Sequence, residues 1–160
     1  MATASYATST LAGATVSLVG GDPTTFDAAG FAALTWVPIG KIKSLNLTAA
    51  QWQEVTSSYL SQTFEEVRKG TRKAGGVELK VDIKSDAGQT LCKTAVDSRS
   101  EYNLKVSYSN GVVQYRRVLV MPSSQDGGDA NALHGATLYL TGCPFPSGEA
   151  YLVEVEPTAP

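Results

Sequence analysis

Histidine is almost missing from this 160-residue sequence. The one present, His134, rules out HExxH and multi-histidine metal sites. A Ser–His–Asp arrangement would need His134, and no GxSxG nucleophile elbow accompanies it. Cysteine is nearly as scarce. Cys92 and Cys143 have no CxxC spacing and no Cys/His grouping, so they are read as free, reduced thiols rather than zinc ligands. Neither a GxxxxGK[ST] phosphate loop nor a GxGxxG turn occurs. No apolar run is long enough to span a bilayer, and Met1 to Tyr6 lacks the basic and apolar segments of a signal peptide. The expectation is a non-enzymatic cytosolic protein with no membrane segment, no metal and no cofactor.

Charge is absent in a second, local sense. Residues 1–40 hold two acids, Asp22 and Asp27, and no base. Residues 118–160 hold five acids and again no base. All 13 Lys and Arg fall within 41–117, against eight acids. Ends of one sign and a middle of the other suit head-to-tail contact between copies, although small-residue arms also lack long side chains. A net charge of −2 argues against a general nucleic-acid binder. The carboxylate pairs Glu65-Glu66, Asp82/Asp86 and Glu154/Glu156 read as solvated surface rather than glycosidase acids.

What is present is strand periodicity. Val77, Leu79, Val81 and Ile83 alternate with Glu78, Lys80, Asp82 and Lys84, a strand with one buried and one wet face. Tyr102, Leu104, Val106 and Tyr108 alternate with Asn103, Lys105 and Ser107. Asn110-Gly111 then supplies a two-residue hairpin turn and the return strand runs from Val112 to Met121. Further strands are expected at Gly13–Val19, within Trp36–Leu47, around Leu138 and Leu140, and at Tyr151, Val153 and Val155. Apolar parity changes between Ile42 and Leu45, which predicts a bulge or bend.

One helix is expected, Ala87 to about Ser98, capped by Asp86 with Gln89 at the capping-box spacing. Leu91, Cys92, Ala95 and Val96 share its apolar face. Residues 24–35 and 122–131 read as loops. The fold class is mainly β: a β-sandwich or small barrel with one short α-helix, in a single domain. Residues 1–12 form an N-terminal arm and 144–160 a C-terminal extension. Residues 48–76 form a long loop without clear regular structure, unusual in a compact domain and often functional.

The order of these features carries a resemblance. Trp36–Leu47 is followed by Glu54-Val55-Thr56, by Phe64 to Gly76, and by the alternating strand to Ile83. Then come the helix, the Tyr102-Asn103-Leu104-Lys105-Val106 strand, the Asn110-Gly111 hairpin and a long strand. Over most of residues 13–142 this resembles the tail tube (major tail) protein of long-tailed bacteriophages. Three departures are Gly70-Thr71, where such proteins carry Gly-Leu, a more helical pattern around Gln51-Trp52-Gln53, and the tail after Pro144, which varies among such proteins.

The resemblance implies six copies in a ring and rings stacked into a tube through which DNA leaves the virion. Its partners would be further copies, with tape-measure, tail-terminator and tail-tip proteins, and DNA only as a transient passenger. The protein would be assembled in the host cytoplasm and reside in the virion tail. A net negative lumen is expected, so that a passing polyanion is not held.

Within this reading, 48–76 is the expected assembly element. Trp52, Tyr59 and Phe64 are its apolar anchors, and Glu65, Glu66, Arg68, Lys69, Arg72 and Lys73 its charged groups. Four bases close behind two acids, with no aromatic interleaving, favour protein contact over nucleic acid. The alternative function is a ligand- or carbohydrate-binding β-sandwich module using Trp36 or Trp52, although Trp36 opens a strand and reads as core. A hydrolase built on His134 ranks last.

Overall fold

The alternating segment at 77–84 becomes the strand on which the rest is built. The computed structural model describes residues 10–157. Residues 1–9 of the expected arm and 158–160 of the C-terminal extension lie outside the described residues. Strand β6 (Val77–Asp82) buries Val77, Leu79 and Val81 and turns Glu78, Lys80 and Asp82 outward. Its neighbours are β3 (Ile42–Leu47) on one side and β9 (Gly135–Cys143) on the other, both antiparallel. The register shifts between Ile42 and Ser44, where the change of parity predicted a bulge. Strands β1 (Thr15–Gly20), β2 (Val37–Pro38), β7 (Tyr102–Ser107), β8 (Val113–Asp126) and β10 (Leu152–Val155) complete the sheet.

The strand order is β2-β1-β7-β8-β9-β6-β3, with β10 paired to the first residues of β8, Val113 to Arg116. Val16 of β1 and Ile42 and Leu45 of β3 line one crevice although they lie near opposite ends of that order. The sheet therefore curls over on itself, as a β-sandwich does, around one core of Val16, Leu18, Leu79, Val81, Leu104, Val106, Val118 and Val120. Truncating a fully buried member such as Leu79 to alanine costs about 2–5 kcal/mol, a large part of a domain's stability.

Strand β8 carries apolar side chains on both faces. Val118 and Val120 enter the main core, while Val113 and Tyr115 point the other way into an aromatic cluster with Phe26, Phe31, Trp36 and Phe145. Phe31 stacks on Tyr115 with ring centroids 5.2 Å apart. Trp36 packs against this cluster and its indole N–H donates to the Phe31 carbonyl at 2.9 Å, which agrees with the core reading. Phe31 arrives on α1 (Ala28–Ala32), a short helix inside the segment 24–35 expected to be a loop. Five residues are too few to show a 3.6-residue period. The signal present was the cap: Asp27 accepts from the Gly30 N–H at 2.8 Å and from the Thr25 hydroxyl at 2.8 Å. These bonds, the backbone one foremost, hold its carboxyl below the usual range.

The expected helix is α2 (Ala87–Asp97), capped by Asp86, which accepts from the Gln89 N–H at 2.8 Å. Cys92 and Ala95 are buried in the main core, and Leu91 and Val96 pack against it. The Gln89 side chain does not complete a capping box. It donates to the Gly40 and Asp82 carbonyls at 3.1 and 2.9 Å and accepts from the Lys84 N–H at 3.0 Å. The other Asp86 oxygen accepts from the Gly40 N–H at 3.1 Å, so the helix start is tied to the chain entering β3.

Three further expectations are corrected. Two helices are present among the described residues, not one. The 110–111 turn is a wider loop: Tyr108 N–H donates to Val112 and Gly111 N–H to Tyr108, with only Gly111 at positive φ (90°). That is the three-residue turn ending in a glycine bulge, and Asn110 instead accepts from the Val112 N–H. Strand β8 also runs on through Pro122 to Asp126, so only part of 122–131 is loop. Pro122 hid this; it falls where the β8–β9 register shifts, between Met121 and Ser124, a position where no ladder N–H is required.

Candidate assembly surface

The segment 48–76 is not a structureless loop. It folds as β4 (Gln51–Ser57) and β5 (Glu66–Lys73), an antiparallel hairpin forming a two-stranded sheet separate from the main one. The sequence concealed it because every residue of β4 is exposed, so no buried face imposes alternation. A bulge between Trp52 and Glu54 breaks the remaining periodicity. The hairpin continues the β3–β6 pair past Leu47 and Val77, and the Thr48 N–H still reaches the Gly76 carbonyl at 2.9 Å. At this pivot Gly75 is required by space: a Cβ there would lie 1.7 Å from the Thr48 carbonyl oxygen.

The hairpin has a root and a tip with different chemistry. At the root the Trp52 ring has two cations near it, Lys69 with Nζ 5.8 Å from the ring centroid and Arg72 with Cζ at 5.5 Å. Arg72 also lies 5.7 Å from the Tyr151 ring, which in turn lies 5.7 Å from Arg116. The C-terminal extension therefore meets the hairpin root. Lys73 and Gln51 line a cleft against Tyr139 and Leu140 of β9. Arg68 faces Glu66 at 3.4 Å in the open, a contact worth about 0–1 kcal/mol. At the tip are Tyr59, Phe64, Glu65 and Glu66, with Ser58 Oγ donating to Glu65 at 2.9 Å.

The expected residues thus spread along the hairpin: Trp52, Lys69, Arg72 and Lys73 toward the root, Arg68 between, opposite Val55, and Tyr59, Phe64, Glu65 and Glu66 toward the tip. Three apolar residues escaped the sequence reading: Val55, Leu60 and Val67, all exposed. Leu60 is fully exposed and Phe64 is 85% exposed. Isolated two-stranded hairpins are marginal in water. This one presents six large apolar side chains to solvent.

Elsewhere the chemistry is sparse. No group of three or more His, Cys, Asp or Glu is placed to hold a metal among the described residues. His134 is exposed, and its backbone carbonyl accepts from the Ile83 N–H at 2.9 Å. Cys92 and Cys143 are free and buried. Burial, with Asp86 adding to it, pushes the Cys92 thiol up to about 11. Burial, with Glu101 adding to it, also raises Cys143, against an opposing effect of Arg117.

No protein-family model matches the chain, and no curated protein matches it. Solved structures do. A chain in the baseplate of the anti-feeding prophage, a sixfold-symmetrised structure, superposes with a TM-score of 0.58 at 11% identity, covering 99% of this chain and 100% of that one. A chain of the SPP1 tail tube superposes with a TM-score of 0.58 at 10% identity, covering 81% of this chain and 72% of that one. A chain in the tail of an empty gene transfer agent particle with C6 symmetry gives 0.56 at 12% identity, covering 82% and 91%. This chain therefore shares its fold with a chain of the anti-feeding prophage baseplate over nearly its whole length, and with chains of the SPP1 tail tube and a gene transfer agent tail over 81% and 82% of it.

Proposed function

We propose that this protein is a structural, non-catalytic subunit that self-assembles into sixfold rings stacked as a tail tube, a conduit for DNA. The observation that carries the reading is the β4–β5 hairpin, a two-stranded sheet with both outer edges unpaired among the described residues and six large apolar side chains exposed. In a monomer such edges invite aggregation. In a ring each hairpin finds its neighbour's edge and symmetry closes the set. The sixfold symmetry of particles containing similar chains supports a ring of six.

On this reading the hairpin contacts the neighbouring copy or the next ring through Trp52, Tyr59 and Phe64, with Arg68, Lys69, Arg72 and Lys73 meeting acids of the adjacent subunit. Small individual terms accumulate because each contact repeats around the ring and along the tube. The partners are other copies together with length-setting, terminating and tip proteins of the tail, and the protein resides in the virion tail after assembly in the host cytoplasm. The lumen carries net negative charge. The test replaces residues 51–73 with a short Gly/Ser linker. Thermal unfolding stays cooperative, and rings and tubes vanish from negative-stain micrographs and sedimentation. Normal tubes from the shortened chain would refute the proposal.

A further inference from the structure

A groove of about 250 Å³ remains unexplained at the far end of the subunit from the hairpin. Strand β6 fixes the geometry. The hairpin leaves from its Val77 end, while at its other end Asp82 pairs with Gly135 and the Ile83 N–H bonds to His134. The groove opens there, lined by Val81, Ile83 and Leu138, with Lys93 of α2, Ser123 of β8 and His134 also contributing. Among the described residues no carboxylate lines it. Lys93 is exposed and forms no ion pair among the described residues.

The hairpin tip has the complementary chemistry. Phe64 and Leu60 project into solvent, and Glu65 and Glu66 follow directly on Phe64. We propose that the groove receives the hairpin tip of a second copy, with the Phe64 ring on its apolar lining and Glu65 against Lys93. The inference rests on the tube reading and identifies the surface that the hairpin meets. A volume of this size takes a phenyl ring. Tip and groove sit at opposite ends of one subunit, so the contact is heterologous and passes from copy to copy instead of ending at a two-fold dimer.

The deciding experiment pairs cysteines across the contact. Thr63→Cys and Ser123→Cys are placed in one chain, both at exposed positions, with the Phe64 ring kept and the native thiols buried. Mild oxidation of the assembled protein then produces a ladder of multimers on a non-reducing gel, and either substitution alone produces none. Lys93→Glu leaves thermal unfolding unchanged and raises the protein left soluble after sedimentation about tenfold or more, since like charges meet. Combining it with Glu65→Lys restores assembly. If wild-type protein forms tubes but the paired cysteines give no ladder, the groove is not the receptor, and the tube reading stands. If wild-type protein stays monomeric at every concentration, the tube reading itself fails and this inference with it.

Discussion

Phe64→Ala isolates the contribution of the hairpin tip without touching the fold. In the subunit the Phe64 ring is 85% exposed, so nearly all of its apolar surface is available for burial between copies. Full burial of such a side chain is worth about 1.5–3 kcal/mol. Each subunit joining a growing tube makes this contact once as donor, so the loss applies once per addition. The free concentration in equilibrium with tubes then rises about 10- to 150-fold. The assay is quantitative sedimentation over a concentration series, with the supernatant concentration as the readout. The same variant unfolds within about 0.5 kcal/mol of wild type, because an exposed side chain contributes little to the isolated subunit. An unchanged supernatant concentration would remove Phe64 from the interface. A fall in unfolding stability would show that the ring belongs to the subunit's own packing.

Other positions test the fold around this surface. Asp86→Ala removes the α2 cap and the bond to the Gly40 N–H together, and chemical denaturation should register a loss of about 2–4 kcal/mol. Gly75→Ala drives a Cβ into the Thr48 carbonyl and forces the pivot to move, so assembly drops further than the roughly 1–3 kcal/mol of lost stability explains. The pivot hypothesis fails if tubes form at the wild-type concentration. The buried Cys92 thiol, raised to about 11 from an ordinary value of 9.0, binds its proton more tightly in the folded state. Its contribution to stability is complete below pH 9 and is lost as the pH climbs toward 11. Comparing unfolding free energies of wild type and Cys92→Ala across that window should show the smaller decline in the variant, and parallel curves would contradict the assignment.

The local signals in the sequence were sufficient where an element long enough to show a period buries one face, which the five residues of α1 do not. The strand at 77–82 and the helix at 87–97 were legible because water on one side and core on the other impose a period on the residues. The bulge near Ile42 was legible because it breaks that period. The hairpin at 51–73 was not, since both of its faces meet solvent in the subunit and nothing selects alternation. Its candidate residues were found by composition alone, as aromatics and bases concentrated in one segment. Their division into a root around Trp52 and a tip around Phe64 came only from the strand pairing. Tertiary structure also decided what lies far apart in the chain but close in space: Tyr151 beside Arg72, Gln89 across the start of β3, and a groove made by α2, β6, β8 and β9. Such contacts depend on how the sheet curls around its core. That curl is set by packing among all the strands together and is written in no single stretch of the chain.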